Sequence, residues 1–377
     1  MEVMSSSESP STDRTPSGLD LRSDPAELTA ALIDVESVSD HETQLADLVE
    51  NALRGLEHLS VHRDGDAIIA RTELGRAERV VLAGHLDTVP LPTAAGSRGT
   101  VPSSWEDHDG DLTLYGRGAT DMKGGVAVQL GLAAELTEPS RDITYVFYDH
   151  EEVDSAKSGL ARLERSVPDL LQADFAVLLE PTDGTVEGGC NGTLRFVIAP
   201  QGLAAHSGRA WRGDNAIHKL ADVLSVLADY EPATIEVEGL AYREGLNAIR
   251  ISGGTAGNVI PDAASVEINY RFAPDKTLEQ AQQHCRELFP GHELEFVDLS
   301  PAARPGLDRA SAAAFVAAVG QEPKPKYGWT DVARFSAMGV PAVNFGPGDA
   351  LLAHTDDEHV SAEAIRQCRR VLLSWLS

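Results

Sequence analysis

The sequence predicts an α/β chain in which a small α+β unit is inserted into a larger sheet-and-helix unit. Three observations carry this. Short, wholly apolar runs such as VVLAG (80–84) and FAVLL (175–179), with the nearly apolar ITYVFY (143–148), have the texture of strands buried on both faces. Helical patterns alternate with them, as crossover connections require. Near residue 193 the texture changes to in–out alternation, as in TLRFVIAPQG, and the first texture resumes after the Pro301–Gly306 stretch.

Taken in order, residues 1 to 23 are rich in Ser, Thr and Pro and read as a mobile tail. The tail lacks the apolar centre of a signal peptide or membrane anchor. Asp24-Pro25 is a cap-then-proline start for a helix through LTAALIDVES, and a second helix covers ETQLADLVENALRGL. Strands AIIAR and VVLAG follow, then a Gly, Pro and Ser-rich loop over 90–110. KGGVAVQLGLAAEL reads as a helix starting directly after Asp121; next come ITYVFY, a helix near 156–165, and FAVLL. In the insert, TLRFVIAPQG is followed by a long helix (DNAIHKLADVLSVLADY), strands in NAIRISGGTAGNVIP and ASVEINYRFAP, the helix TLEQAQQHCRELF and the strand HELEFVDLS. This βαββαβ order is that of a ferredoxin-like split βαβ unit. Helices over 309–319 and near 331–338, the strand PAVNF and a helix over 361–376 complete the chain. The expected division is 24–193 and 306–377 for the larger domain and 194–305 for the inserted one.

Composition excludes several classes. At 377 residues the chain exceeds one ordinary core. A net charge of -28 argues against nucleic acid, whose phosphates demand a basic surface, and against acidic membranes. An anionic substrate would then need local arginines. No apolar run is long enough to cross a bilayer. Cys190, Cys285 and Cys368 are too few and too scattered for a disulfide framework, which points to a reducing, cytoplasmic setting.

The chemistry gathers at strand ends. His85 and Asp87 close VVLAG, Glu151 and Glu152 close ITYVFYDHEE, Glu180 closes FAVLL, Asp121 opens a helix between glycines, and His354 follows a Gly-Pro-Gly turn. Open α/β sheets place their sites beyond the carboxyl ends of the strands. Singly, each residue has an ordinary explanation: a turn aspartate, a helix cap, an exposed acidic pair. Together, the two histidines with Asp121, Glu151, Glu152 and Glu180 suit zinc, or cobalt or manganese, and suffice for two ions bridged by one carboxylate. Of the adjacent Glu151 and Glu152, one could bind metal while the other takes a proton from water. In the insert, His206 could donate to a developing oxyanion if the small domain closes over the site. Asn258 and Arg271 offer an amide and a guanidinium able to clamp a substrate carboxylate.

GHLDTVP, YGRGATDMKGG, HEE, LEPT, AHSGR with GDNAIHK, GNVIPD with NYRF, and GWTDVARF with PGDALLAH resemble, in order and spacing, the M20 metallopeptidases over roughly residues 25–377. The resemblance implies a zinc-aminopeptidase-like catalytic domain, a mixed sheet flanked by helices that holds two Zn²⁺ ions, with a ferredoxin-like lid that makes a homodimer. It implies hydrolysis of an amide in a small N-acyl diamino acid; another N-acyl amino acid or a dipeptide is the alternative. His85 and Glu180 would serve one metal, Glu152 and His354 the other, and Asp121 would bridge them. Glu151 would be the general base and Asp87 would orient His85. A cis peptide is implied at Asp121-Met122, and His206 would reach the partner subunit's site. Asn258, Arg271, Thr330, Arg334 and Gly346 would meet substrate. Some family members carry paired arginines where this chain has Cys190-Asn191, which throws the binding of substrate carboxylates onto Arg271 and Arg334. A non-catalytic binding member would lack a ligand or the base, and none is missing.

Overall fold

The computed structural model describes residues 18–108 and 110–377. Its main sheet has eight strands, in the order Ser60–Asp64, Ala67–Arg71, Asp142–Tyr148, Arg79–His85, Phe175–Leu178, Ala342–Asn344, Glu187–Gly188, Lys324–Pro325. The four central strands, from Asp142–Tyr148 to Ala342–Asn344, run parallel, and antiparallel pairs appear toward both edges. Val80 and Leu82 point into one apolar layer, beneath helices that include Gly124–Glu135 and Ala362–Leu376. Val81 and Ala83 point into the other, against Gly159–Ser166 and Val332–Ala337. A strand covered on both faces buries every side chain, which is why VVLAG shows no alternation.

The second sheet has four antiparallel strands in the order Gly245–Gly253, Ala264–Phe272, Gly192–Ile198, Glu295–Ser300. The last strand of the unit lies beside its first, as the ferredoxin-like order requires. Leu194, Phe196, Ile198, Ile268, Tyr270 and Phe272 fill one face, with Ala281 and Cys285 of the helix Leu278–Leu288 packed among them. The other face is polar.

Several elements differ from the sequence reading. The long helix expected over 214–230 is shorter, a 3₁₀ turn His218–Leu220 leading into Ala221–Ala228. Its start is delayed because Asn215 Oδ1 accepts the amides of Ile217 and His218 while the amide of Ala216 donates to Pro261 O. The expected loop over 90–110 contains the strand Ser104–His108, which is exposed at every position and so left no apolar trace. A hairpin, Thr234–Val237 with Leu240–Arg243, was also unmarked. Residues 1–17 of the expected tail lie outside the described residues; within 18–23, Leu21 is buried in the main core, so packed chain begins before residue 24. No helix among the described residues is long and apolar enough to cross a membrane.

Candidate metal centre

The expected ligands lie at the carboxyl ends of the four central parallel strands. His85 ends Arg79–His85, Glu151 and Glu152 follow Asp142–Tyr148, Glu180 follows Phe175–Leu178, and His354 follows Ala342–Asn344 after a nine-residue loop over 345–353. Asp121 sits where Ala119–Lys123 leaves helical geometry, and its peptide with Met122 is cis. The loop bearing Glu180 is gripped by two glycines. A Cβ on Gly125 would stand 2.2 Å from Leu179 O, and one on Gly346 would stand 2.3 Å from the same atom and 2.5 Å from Glu180 O. Only glycine permits that approach.

The donor atoms of His85, Asp121 and Glu180 lie within 4.8 Å of one another, as do those of Asp121, Glu152 and His354. Asp121 belongs to both groups. Its Oδ1 is 3.1 Å from His85 Nε2 and its Oδ2 is 3.4 Å from His354 Nε2. One carboxylate thus turns an oxygen to each group, the geometry of a bridge. His354 Nε2 is also 2.9 Å from Glu152 Oε1.

The Nδ1 of His85 is 2.9 Å from the backbone carbonyl of Asp87. A carbonyl only accepts, so the neutral ring carries its proton on Nδ1 and offers the Nε2 lone pair to the cluster. The carboxylate of Asp87 stands further off, 3.6 Å from Nδ1. It accepts instead from the amides of Glu151 (3.0 Å) and Glu152 (3.1 Å) and from Ser39 Oγ (2.7 Å). Asp87 therefore holds the ring with its main chain and the acidic turn with its side chain.

Charge in this cluster is out of balance. Burial and the neighbouring Asp121 push the Glu180 carboxyl up to about 8, and its Oε1 is buried without a hydrogen-bond partner. Burial pushes Glu151 well above the usual carboxylate range. Burial works against a charge on His85, yet Asp121, Asp87 and Glu180 outweigh it and raise the ring well above the usual imidazole range. Hydrogen bonds to Asp121 and Glu152 raise His354 to about 10. Buried carboxylates that must borrow protons, and one left with no partner, are the signature of a site lacking its positive charge. Two divalent cations would supply it, so the residues fit the metals.

Beside Glu151 and Glu152 lies a cavity of about 370 Å³ whose lining includes Arg195, Arg271 and Arg334. Arg334 donates to Asp331 Oδ1 (2.6 Å) and Ser155 Oγ (2.8 Å), and its guanidinium carbon is 5.6 Å from the centre of the Trp329 ring. Other expected residues stand elsewhere. His206 and Asn258 sit on the small ribbon Ala205–His206 with Val259–Ile260 or at its edge, and neither lines the cavity. Thr330 is buried and donates to Asn344 Oδ1, and the amide of Gly346 is taken by Thr182 Oγ1. Sequence reading missed Ser39, Asp298 and Glu358. Glu358 accepts the amides of Thr120 and Asp121 (3.1 Å each) and pairs with Arg117 at 2.8 Å, all buried or nearly so. Nothing local marks Glu358, since its partners are more than two hundred residues away.

Carboxylates and imidazoles converging at the mouth of a parallel sheet, under an inserted α+β unit, define a metal-dependent hydrolase. The chain belongs to peptidase family M20/M25/M40, whose profile matches residues 81–377. It is 54% identical to a putative succinyl-diaminopimelate desuccinylase DapE of Mycobacterium tuberculosis (strain ATCC 25618 / H37Rv), over 95% of this chain and 99% of that one. It is 43% identical to the succinyl-diaminopimelate desuccinylase of Corynebacterium glutamicum, over 96% and 98%. Among solved structures it is similar in fold to the aminopeptidase PepT of Bacillus cereus, with a TM-score of 0.73, 18% identity, and coverage of 94% of this chain and 98% of that one.

Proposed function

We propose that the protein hydrolyses the amide of N-succinyl-LL-2,6-diaminopimelate to succinate and LL-2,6-diaminopimelate. The observation that carries this reading is near-full-length identity of 54% and 43% to two relatives bearing the desuccinylase name. Arg271 in the cavity lining supports it, because among the described residues it makes no ion pair and offers its charge to a substrate carboxylate in a chain of net charge -28, while Arg195 and Arg334 are paired with acids.

His85 and Glu180 would hold one metal, Glu152 and His354 the other, with Asp121 shared between the two groups. Zinc would suit the mixed imidazole and carboxylate donors, two ions per subunit. When bound they polarise the amide carbonyl and acidify water. Glu151 lines the cavity, and its donor oxygen lies within 4.8 Å of those of His85 and Glu152, which puts a carboxylate beside the metal groups; it acts as the base, taking a proton from the attacking water and returning it to the departing amine. Asp87, through the two glutamate amides, fixes the turn that aims Glu151. Arg334 and Arg271 bind substrate carboxylates. His206 donates to the developing oxyanion from the lid, in the subunit opposite its own.

The lid also supports a homodimer. Gly245–Gly253 is an edge strand whose Ile249 and Ile251 are 53% and 54% exposed, and Leu224 and Ile217 are exposed nearby. A long apolar edge strand left open invites pairing with its own copy. Three buried free cysteines accord with a cytoplasmic setting.

The test is hydrolysis of N-succinyl-LL-diaminopimelate beside N-acetylornithine, with zinc-reconstituted and chelator-treated protein. Metal-dependent preference for the succinyl substrate is expected. Metal-dependent turnover of the acetyl compound instead would discard the substrate and keep the site.

A further inference from the structure

One wall of the cavity is the polar face of the four-stranded sheet. Strand register sets two rows across that face, Arg271 beside Thr193 beside Ser300, and Asn269 beside Arg195 beside Asp298. Residues two apart on a strand share a face, so both rows point the same way, opposite the Leu194 and Phe196 core. Thr193, Arg195, Arg271, Asp298 and Ser300 all line the cavity.

The charged groups on this wall are unevenly partnered. Arg195 is divided between two acids, its Nε 3.2 Å from Asp298 Oδ2 and one terminal nitrogen 3.1 Å from Glu267 Oε1. Glu267 is also reached by the exposed Arg250 at 3.9 Å, whereas Asp298 meets Arg195 through Oδ2 alone and keeps Oδ1 without a protein donor among the described residues. Arg271 is the reverse case. Its Nε donates to Asn269 Oδ1 at 3.3 Å, and among the described residues no carboxylate lies within ion-pair reach of it. A guanidinium without an ion pair and a carboxylate with an uncommitted oxygen therefore stand diagonally across one face.

We propose that this wall recognises an amino-acid zwitterion, Arg271 taking the carboxylate and Asp298 the ammonium at the end of the substrate remote from the cleaved amide. The inference rests on the succinyl-diaminopimelate reading and deepens it, since that substrate ends in such a zwitterion. Asp298 is then a specificity residue that works partly by exclusion. An acylated amino diacid with no remote ammonium leaves Asp298 facing an anion with nothing between them, and is rejected on charge although it fits in length.

The test compares kcat/KM for N-succinyl-LL-2,6-diaminopimelate and N-succinyl-L-2-aminopimelate, which differ by the remote ammonium alone. The native enzyme should favour the first by at least about tenfold, the worth of one charged contact. In Asp298→Asn, which still accepts from Arg195, that ratio should fall to about one to two, with the change in KM rather than kcat. An unchanged ratio, or an equal loss on both substrates, would reduce Asp298 to a structural partner of Arg195 and overturn the proposal. Should the native enzyme cleave neither compound, the desuccinylase reading fails. Calorimetric titration with free LL-diaminopimelate and with pimelate, the same diacid without either ammonium, then still decides. Tighter binding of the diamino acid that Asp298→Asn abolishes upholds the wall as a zwitterion site; equal binding of both overturns it.

Discussion

Glu151 and Asp87 meet at the acidic turn, where the Asp87 carboxylate accepts the amides of Glu151 and Glu152. Glu151→Ala should lower kcat by about 10²–10⁴-fold, with metal content by elemental analysis still two ions per subunit. Normal turnover in that variant would remove Glu151 as the base. Because the Asp87 carboxylate holds the amides of Glu151 and Glu152, Asp87→Ala should cost roughly 10–100-fold, mostly in kcat, beyond any loss of metal. The unpaired charge of the cluster makes a further statement about stability. With chelator, Glu180 and its neighbours face one another without cations, so the metal-free protein should melt at a lower temperature and recover on adding Zn²⁺. A melting curve indifferent to metal would contradict the assignment. At this scale the sequence singled out His85, Asp121, Glu152, Glu180 and His354, which are chemically conspicuous, end conspicuous runs and come together in the structure. It could not name Glu358 or Ser39, because a hydrogen bond closed across a long stretch of chain leaves no pattern at either end.

The strands carry the donors, so their anchoring matters as much as their chemistry. Asp142, at the foot of the central strand Asp142–Tyr148, accepts from the amides of Leu74 and Arg76 and from Thr72 Oγ1, each at 2.8 Å. Burial opposes ionisation there, but these bonds outweigh it and hold the carboxyl below its usual value. The stability it contributes is therefore full above pH ~4, where the unfolded carboxyl ionises, and is lost as pH falls through the depressed folded value. Asp142→Asn should lower stability at neutral pH and flatten the acid limb of a denaturation-versus-pH curve. The missed hairpin over 234–243 belongs to the same scale. Tyr242 is buried and donates to Gly188 O at 2.6 Å, Asn191 donates to Arg243 O, and Glu238 holds Arg304 and the amide of Gly306. A hairpin that starts within the small unit is thus fastened across both connections between the two sheets. Tyr242→Phe should cost about 1 kcal/mol in chemical denaturation. The hairpin was illegible because EVEGLAYR is short and weakly apolar; its burial comes from the surface it docks on.

As a whole, the molecule joins two sheets built on different rules. The parallel sheet buries both faces and announces itself by unbroken apolar runs. The antiparallel one buries a single face and alternates, which leaves its polar face free to wall the cavity. Its open edge carries the oligomer prediction: Ile251→Lys should convert a dimer to a monomer in light scattering, with the fold retained by circular dichroism. A dimer that survives the substitution would move the interface elsewhere.

The sequence by itself determined the fold class and which acids and histidines end the apolar runs, because periodicity and residue chemistry are local properties. Tertiary structure alone decided that Asp121 turns one oxygen to each donor group, that Asp87 grips the acidic turn, and that Arg271 and Asp298 share a wall. Those relations depend on register and on the close approach allowed at Gly125 and Gly346, where chain segments distant in sequence meet at separations that spacing along the chain does not encode.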